Sequence, residues 1–326
     1  MVYKLGKLIG KGSDGVVYEL ISETGKNRVI KFIQSETFGI KNYLEYYIFT
    51  NLDEKYISKC ETIEITEDGL IKLIFKRAEM DLKDYIQKNN LKQDQKKKIM
   101  KDLITGLEYW QSFNIIHGDI KPSNILIFKN QDVKYTDFNL STVYITDEKI
   151  NKKLYTITYR PPEILEQKVN LKSDIWALGC TFFEIYYGYE YFNYSKDRKF
   201  YHLKNSLENK EENLLFNDLI KNMIHTDYNL RFNIEEIKNH KYFLGEKFPI
   251  KFNKKDPMNR KKFNNLLKTN FQKYNIKTEI DQKIFISKIE NFSCIAIHKN
   301  FRKIENKICK EKFSINIFNW YYQHSL

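Results

Sequence analysis

Three groups of residues in this chain have the types and spacing to do chemistry on a phosphate ester. The first is Gly10-Lys11-Gly12-Ser13-Asp14-Gly15-Val16-Val17, where glycines would let backbone amides approach phosphate oxygens with no side chain in the way. A tight hairpin turn is the other explanation. The second group is Lys31 in Arg28-Val29-Ile30-Lys31, sixteen residues beyond Gly15, with Glu45 fourteen residues further on. A lysine that faces inward needs a carboxylate partner, and such a pair can aim an ammonium at phosphates. A surface salt bridge is the alternative. The third and densest group is His117-Gly118-Asp119-Ile120-Lys121-Pro122-Ser123-Asn124-Ile125-Leu126, followed thirteen residues after Asn124 by Asp137-Phe138-Asn139. Asp119, Asn124 and Asp137 flank two short strands, so their oxygens can converge. Hard oxygen ligands beside a phosphate cradle describe a magnesium–nucleotide site; a loop of solvated polar residues is the competing reading.

The elements that must position these groups follow from hydrophobic period. Strands are expected at Tyr3 to Ile9, Val16 to Ile21, Arg28 to Ile33, Thr62 to Thr66 and Leu70 to Lys76, with turn signals at Glu23-Thr24-Gly25-Lys26 and Glu67-Asp68-Gly69. A helix from about Ile40 to Leu52 interrupts them, with Leu44, Ile48, Phe49 and Leu52 on its apolar face and Glu45 on its polar side. From Asp81 the period becomes helical. Asp94 to Phe113 carries the stripe Ile99, Leu103, Leu107 and Trp110, and Asp174 to Tyr187 is apolar on nearly all sides, as a buried helix is. Between them lies a long irregular stretch, about 117 to 165, with short strands at Ile125 to Phe128 and Val133 to Thr136. A long loop inside a compact domain is usually functional.

Composition bounds the rest. The 326 residues include 42% hydrophobic positions, with 23 Phe and 23 Tyr against 12 Gly and 5 Pro, which excludes collagenous, linker-like and disordered chains and suggests about two domains. Cys60, Cys180, Cys294 and Cys309 form no CxxC pair, which argues for a reduced, intracellular setting without a disulfide framework. The polar N-terminus and the absence of a long apolar run predict neither signal peptide nor transmembrane helix. The net charge of +13 points, taken whole, to nucleic acid, acidic membrane or acidic substrates. It is unevenly spread. Residues 245–326 hold 18 Lys+Arg and 7 Asp+Glu, a net of +11, which leaves +2 for residues 1–244.

Over residues 1–244 the motifs, in this order, resemble the protein kinase superfamily. The glycine loop, Lys31, Glu45, the loop His117 to Asn124, Asp137-Phe138-Asn139, Pro161-Pro162-Glu163, Asp174 in Ser173-Asp174-Ile175-Trp176-Ala177-Leu178-Gly179, and Arg231 all take family positions. The resemblance implies an α+β, bilobal fold, with a small β-rich lobe at about 1–76 and a helical lobe at about 81–244. It implies ATP and Mg2+ as cofactors and transfer of the γ-phosphate to protein Ser/Thr hydroxyls; the alternative is a pseudokinase scaffold. Gly10, Gly12 and Gly15 would cover the phosphates, and Lys31, held by Glu45, would contact them. Asn124 and Asp137 would bind magnesium, Asp119 would take or orient the substrate proton, and Lys121 would neutralise the γ-phosphate. Val17, Val29 and Leu126 would enclose the adenine, with Phe75 as gatekeeper and Lys76 to Ala78 as the hinge. Thr156 would bridge Asp119 and Lys121, Glu163 would pair with Arg231, and Asp174 would support the catalytic loop. The Asp-x-Lys-Pro-x-Asn pattern favours Ser/Thr over Tyr.

Four positions depart from the family. Gly118 replaces the arginine that commonly pairs with a phosphorylated activation-loop residue, and Asn151-Lys152-Lys153 offers no hydroxyl there, so activity independent of activation-loop phosphorylation is expected. Asn139 replaces a glycine, and is expected to tolerate left-handed backbone. Val29 replaces alanine, and Asp14 puts a carboxylate at the glycine-loop tip. Residues 245–326, with helical stripes between Asp256 and Ile308, read as a basic helical appendage. Either its lysines simply face water, or it docks on an acidic or nucleic-acid partner. The expected location is intracellular, in cytoplasm or nucleus, or a virion if a virus encodes the chain.

Overall fold

A computed structural model describes residues 3–12, 15–22, 27–34, 45, 48–49, 52–65, 70–144, 154–194, 200–202, 211–245 and 248. The chain divides into two compact units, Met1–Arg260 and Lys261–Leu326. The helical patterns expected between residues 256 and 308, like Ser13, Asp14 and residues 151–153, lie outside the described residues.

Five strands form the N-terminal sheet: β1 (Tyr3–Gly12), β2 (Gly15–Ser22), β3 (Arg28–Gln34), β4 (Cys60–Ile65) and β5 (Leu70–Lys76). Their order is β1-β2-β3-β5-β4, and every neighbouring pair is antiparallel. Alternation sorts the side chains between the two faces. Leu20, Ile30 and Ile74 pack together, with Tyr18 and Phe32 against them. On the other face the register sets Val17 opposite Lys31 and Val29 opposite Phe75. The four residues expected around a nucleotide therefore share one side of the sheet. Lys31 lies inside β3, which runs on to Gln34, one residue past the expected Ile33.

Residues Glu45, Ile48 and Phe49 are helical, and all three are buried. After β5 the chain makes the short strand β6 (Met80–Asp81) and enters helical territory: α1 (Leu82–Lys88), then α2 (Gln93–Gln111). Asp81 caps α1 by accepting from Asp84 N at 2.8 Å. The apolar stripe of α2, Ile99, Leu103, Leu107 and Trp110, is buried as its period requires.

The irregular stretch is organised by small strand pairs. β7 (Ile115–Ile116) and β10 (Thr142–Val143) pair antiparallel and clasp the base of segment 117–141. Within that segment β8 (Ile125–Ile127) and β9 (Val133–Tyr135) form a hairpin that joins β6 in a three-stranded sheet. Because Ile125 pairs with Tyr135, the residues just outside that pair, Asn124 and Thr136, meet, and Thr136 N donates to Asn124 O at 3.0 Å.

The central helix α3 (Leu171–Tyr187) begins at Asn170, whose side chain accepts from Lys172 N at 2.8 Å, and ends at Gly188 with φ 84°. Gly188 supplies the left-handed residue that stops the helix cheaply. All positions from Ser173 to Ile185 are buried, in line with the all-round apolar pattern. Helices α4 (Glu211–Met223) and α5 (Ile234–Lys238) complete this part. Among the described residues no helix is long and apolar enough to cross a membrane.

Candidate active site

Lys31 Nζ and Glu45 Oε1 are 3.0 Å apart, with side-chain exposures of 16% and 2%. This corrects the expectation that Glu45 lies on the polar side of its helix. Ile48, Phe49 and Leu52 follow it by three, four and seven positions, which is one helical face, and the carboxylate is on that inward face with them. A charge so buried needs its partner, so the surface salt-bridge reading fails.

Asp119 is the most heavily bonded acid of the site. Its Oδ1 accepts from Thr156 N and from Thr156 Oγ1, both at 2.8 Å, and its Oδ2 accepts from Asn124 Nδ2 at 2.9 Å. Lys121 Nζ stands 2.7 Å from Asp119 Oδ2 and donates to Thr156 Oγ1 at 2.7 Å. Burial pushes the Asp119 carboxyl up, but the Lys121 ammonium and the Thr156 donors outweigh it, and the group lies below the usual carboxylate range. Thr156 thus bridges the aspartate and the lysine.

Asp137 carries φ 63°, so the left-handed residue of Asp137-Phe138-Asn139 is the aspartate. Asn139 is absent from the described positive-φ residues. The left-handed backbone that Asn139 was expected to tolerate is not called on there, and an ordinary conformation needs no glycine. Phe138 is fully buried and anchors the triplet. Its ring meets Phe49 at 5.8 Å and His117 at 4.4 Å, and Phe49 meets Phe75 at 5.2 Å, so an aromatic column links the sheet to the catalytic loop.

His117 is held by both ring nitrogens. Asp119 N donates to its Nδ1 at 3.2 Å, which leaves Nε2 to donate to Thr136 O at 3.1 Å. Burial lowers its pKa to about 4, so the imidazole is neutral at ordinary pH and serves as a strut between Asp119 and the strand that leads into Asp137. Asp174, on the first turn of α3, accepts from His117 N at 2.7 Å and from Gly118 N at 3.1 Å. Glu163 and Arg231 form a two-pronged pair at 2.7 and 2.9 Å.

Of the glycines, Gly15 has a packing reason to be one. A Cβ there would stand 2.2 Å from Phe32 O. At Gly10 a Cβ would meet nothing within 4 Å, so packing among the described residues does not demand that glycine. Gly12 pairs with Gly15 at the end of the β1–β2 hairpin. Lys76 closes β5 with its side chain turned out to Glu54, and Ala78 follows in the connection to β6. Leu126, on β8 opposite Asp81, is half-buried.

Gly118 has φ 79°, and a Cβ there would stand 2.7 Å from Leu140 O and 3.4 Å from Leu154 Cδ2. The glycine that replaces the family arginine is thus required by the backbone around it. Gly118→Arg should lose about 2–4 kcal/mol of stability through left-handed strain and overpacking. Thermal unfolding together with kcat tests this: a lower Tm and weaker activity are expected, and an unchanged Tm with higher kcat would contradict it.

A match to the protein kinase domain model covers residues 3–243. The chain belongs to the protein kinase family. It is 33% identical over 190 residues to a probable cell division protein kinase of Encephalitozoon cuniculi, covering 56% of this chain and 71% of that protein. It is 29% identical over 195 residues to cyclin-dependent kinase 4 of Xenopus laevis, covering 55% of this chain and 61% of that protein. With the alpha subunit of the CTD kinase of Saccharomyces cerevisiae it shares 29% identity over 187 residues, covering 55% of this chain and 35% of that one. The kinase therefore spans less than two thirds of the latter two relatives. Together the family match and these relatives make it a serine/threonine protein kinase, with the family's β-sheet N-lobe and helical C-lobe, and its membership implies ATP as the phosphate source.

Reading the sequence missed Tyr155, Ser173 and the Tyr159–Glu184 pair. Ser173 Oγ donates to Glu163 Oε1 at 2.8 Å, and Tyr159 OH donates to Glu184 Oε2 at 2.5 Å. Both pairs join the activation segment to α3. The separations, ten and twenty-five residues, follow no local period that a pattern could reveal.

Proposed function

We propose that residues 1–244 transfer the γ-phosphate of ATP to a protein Ser or Thr hydroxyl with Asp119 as the group that receives or orients the hydroxyl proton. The observation that carries this reading is the Asp119–Lys121–Thr156 cluster. It holds a low-pKa carboxylate ionised beside a lysine that can face the transferring phosphate. Lys31, fixed by buried Glu45, would meet the α- and β-phosphates under Gly10, Gly12 and Gly15. Val17, Val29, Phe75 and Leu126 would enclose the base, with Lys76 to Ala78 alongside it.

The donor chemistry at Asn124 and Asp137 fits Mg2+. Asn124 spends its amide N–H groups on Asp119, so its carbonyl oxygen would be the atom offered to the cation, and Asp137, two residues beyond the Ile125–Tyr135 pair of the β8–β9 hairpin, would supply a carboxylate. Bound there, Mg2+ supplies positive charge to the phosphate oxygens. The remaining contribution is positioning by the chain's own groups: Lys31 orients the nucleotide, Thr156 orients Asp119, and His117 keeps the two loops in register.

The HGD loop makes this a kinase without the arginine that receives an activation-loop phosphate, and its activity is independent of that modification. The charge of +11 on residues 245–326 favours an acidic partner, protein or nucleic acid. The test is transfer of label from γ-labelled ATP to a mixed protein substrate, followed by phosphoamino-acid analysis. Phosphoserine or phosphothreonine, lost on magnesium chelation and unaffected by prior phosphatase treatment, is expected. ATP binding without transfer would instead make the chain a pseudokinase scaffold.

A further inference from the structure

Tyr155 is completely enclosed, and it is one of few described non-glycine residues with left-handed backbone, at φ 62°. That conformation is costly for a tyrosine. Its polar atoms account for the cost. The Tyr155 hydroxyl donates to Asp174 Oδ1 at 2.9 Å, and Tyr155 N donates to Gly118 O at 2.7 Å. Tyr155 O accepts from Arg160 Nη2 at 2.8 Å and from Arg160 Nε at 3.1 Å. Gly118 N in turn donates to Asp174 Oδ1 at 3.1 Å. Gly118, Asp174 and Tyr155 therefore close a ring of neutral-donor bonds around one carboxylate, at the place where this chain lacks the arginine.

The ring lies next to the chemistry on both sides. Gly118 precedes Asp119, and Tyr155 precedes Thr156, whose N and Oγ1 both bind Asp119 Oδ1. A shift of Tyr155 would carry Thr156 with it and release the orientation of Asp119. We infer that Tyr155 is a positioning residue for phosphoryl transfer, its buried hydroxyl locking the activation segment to the catalytic loop through Asp174. The inference rests on the reading of Asp119 as the proton-handling group.

Asp174 must be ionised to do this, since a protonated carboxyl would present a hydroxyl to one of the three donors that face it. Burial raises its pKa to about 6, against which the N–H groups of His117 and Gly118 and the hydroxyl of Tyr155 act. The titratable groups around the ring are Tyr155 and Glu163 from the activation segment, Tyr135 from β9, the neutral His117 of the catalytic loop, and Arg231. Among the described side chains of these groups, the Tyr155 hydroxyl is the one that donates to the Asp174 carboxylate.

Tyr155→Phe removes that one donor and keeps the ring and its volume. The variant should lose roughly tenfold in kcat with KM for ATP unchanged, and its acid limb of kcat should move up by roughly one pH unit, the worth of one hydrogen bond to a charged group. The sign follows from the donor favouring the ionised form: without it Asp174 takes its proton at higher pH. Tyr135→Phe is the comparison, because Tyr135 is equally enclosed but donates to Leu103 O at 2.9 Å. Its acid limb should stay in place. If Tyr155→Phe lowers Tm as Tyr135→Phe does and leaves both kcat and the acid limb unmoved, Tyr155 is merely structural and the inference fails. Asp119→Asn separates the two levels: wild-type activity in that variant overturns the proposed function, whereas an inactive Asp119→Asn with a fully active Tyr155→Phe overturns only the role of Tyr155.

Discussion

Asp119→Asn should lower kcat by about 10²–10⁴-fold, the range lost when a positioned acid–base group is removed. The hydrogen-bond inventory makes the reason specific. The groups bonded to the Asp119 carboxylate are all donors: the Thr156 backbone N and Oγ1 on one oxygen, Asn124 Nδ2 and Lys121 Nζ on the other. An asparagine presents one oxygen and one NH2, so in either orientation an NH2 faces donors. If it faces Thr156, the threonine loses the acceptor that fixes it. If it faces Lys121, its NH2 meets the half-buried ammonium, which loses its counter-charge in either orientation. Neither arrangement offers an ionised oxygen to a substrate hydroxyl. ATP affinity should hold within about threefold, because the proposed nucleotide contacts of Lys31, the glycines and the hinge are untouched. Binding of a fluorescent ATP analogue measured beside single-turnover transfer checks both halves. Transfer within about tenfold of wild type would remove Asp119 from the chemistry.

How far the site could be read in advance depended on whether its parts were local. The strands of the N-terminal sheet were legible because alternation is a two-residue signal, and β5 occupies Leu70–Lys76 as expected. Helix α2 was legible by its stripe, within a residue or two at each end. The residues proposed for catalysis stand out as motifs, since Asp119, Lys121 and Asn124 fall within six consecutive positions and the hairpin that returns to Asp137 is short. Glu45 was misjudged because carboxylates usually face water. Its spacing to Ile48 and Phe49 held the correct answer, and burial beside Lys31 made the exception stable. Asn139 was expected to tolerate left-handed backbone because the family has a glycine there, whereas that conformation falls on Asp137. Gly118 reads in sequence as a missing arginine, yet its reason is three-dimensional: the carbonyl of Leu140 takes the space of a side chain. Tyr155 gave no signal, since its meaning depends on an acid nineteen residues away, reached through an irregular segment.

The other large effect expected is on stability, at Arg231. Its guanidinium is wholly enclosed and donates four ways: to Glu163 Oε1 at 2.7 Å, to Glu163 Oε2 at 2.9 Å, to Lys172 O at 2.9 Å and to His225 O at 3.0 Å. It also lies over the Trp176 ring at 5.1 Å. Arg231→Ala leaves the Glu163 carboxylate buried with the Ser173 hydroxyl as a donor to it. Breaking a buried pair from one side costs about 3–5 kcal/mol, because the abandoned charge stays desolvated. For a domain of this size that lowers Tm by on the order of 10 °C. Arg231→Lys should fall between wild type and alanine: the charge is kept, but one ammonium cannot reproduce the planar fork to both oxygens. The double change Glu163→Leu with Arg231→Met should recover part of the loss, since replacing both charges removes the desolvation cost that either single change exposes. Thermal unfolding of the four proteins decides it. A double variant no more stable than Arg231→Ala would mean that the loss comes from the backbone carbonyls of Lys172 and His225, and that the ion pair itself contributes little. The pair joins the end of the activation segment, where Glu163 lies seven residues after Thr156, to the connection between α4 and α5, and Glu163 is also bonded by Ser173 of α3, the helix that carries Asp174. Loss of kcat in Arg231→Ala at temperatures well below its Tm would therefore mean that the pair also holds Thr156 against Asp119.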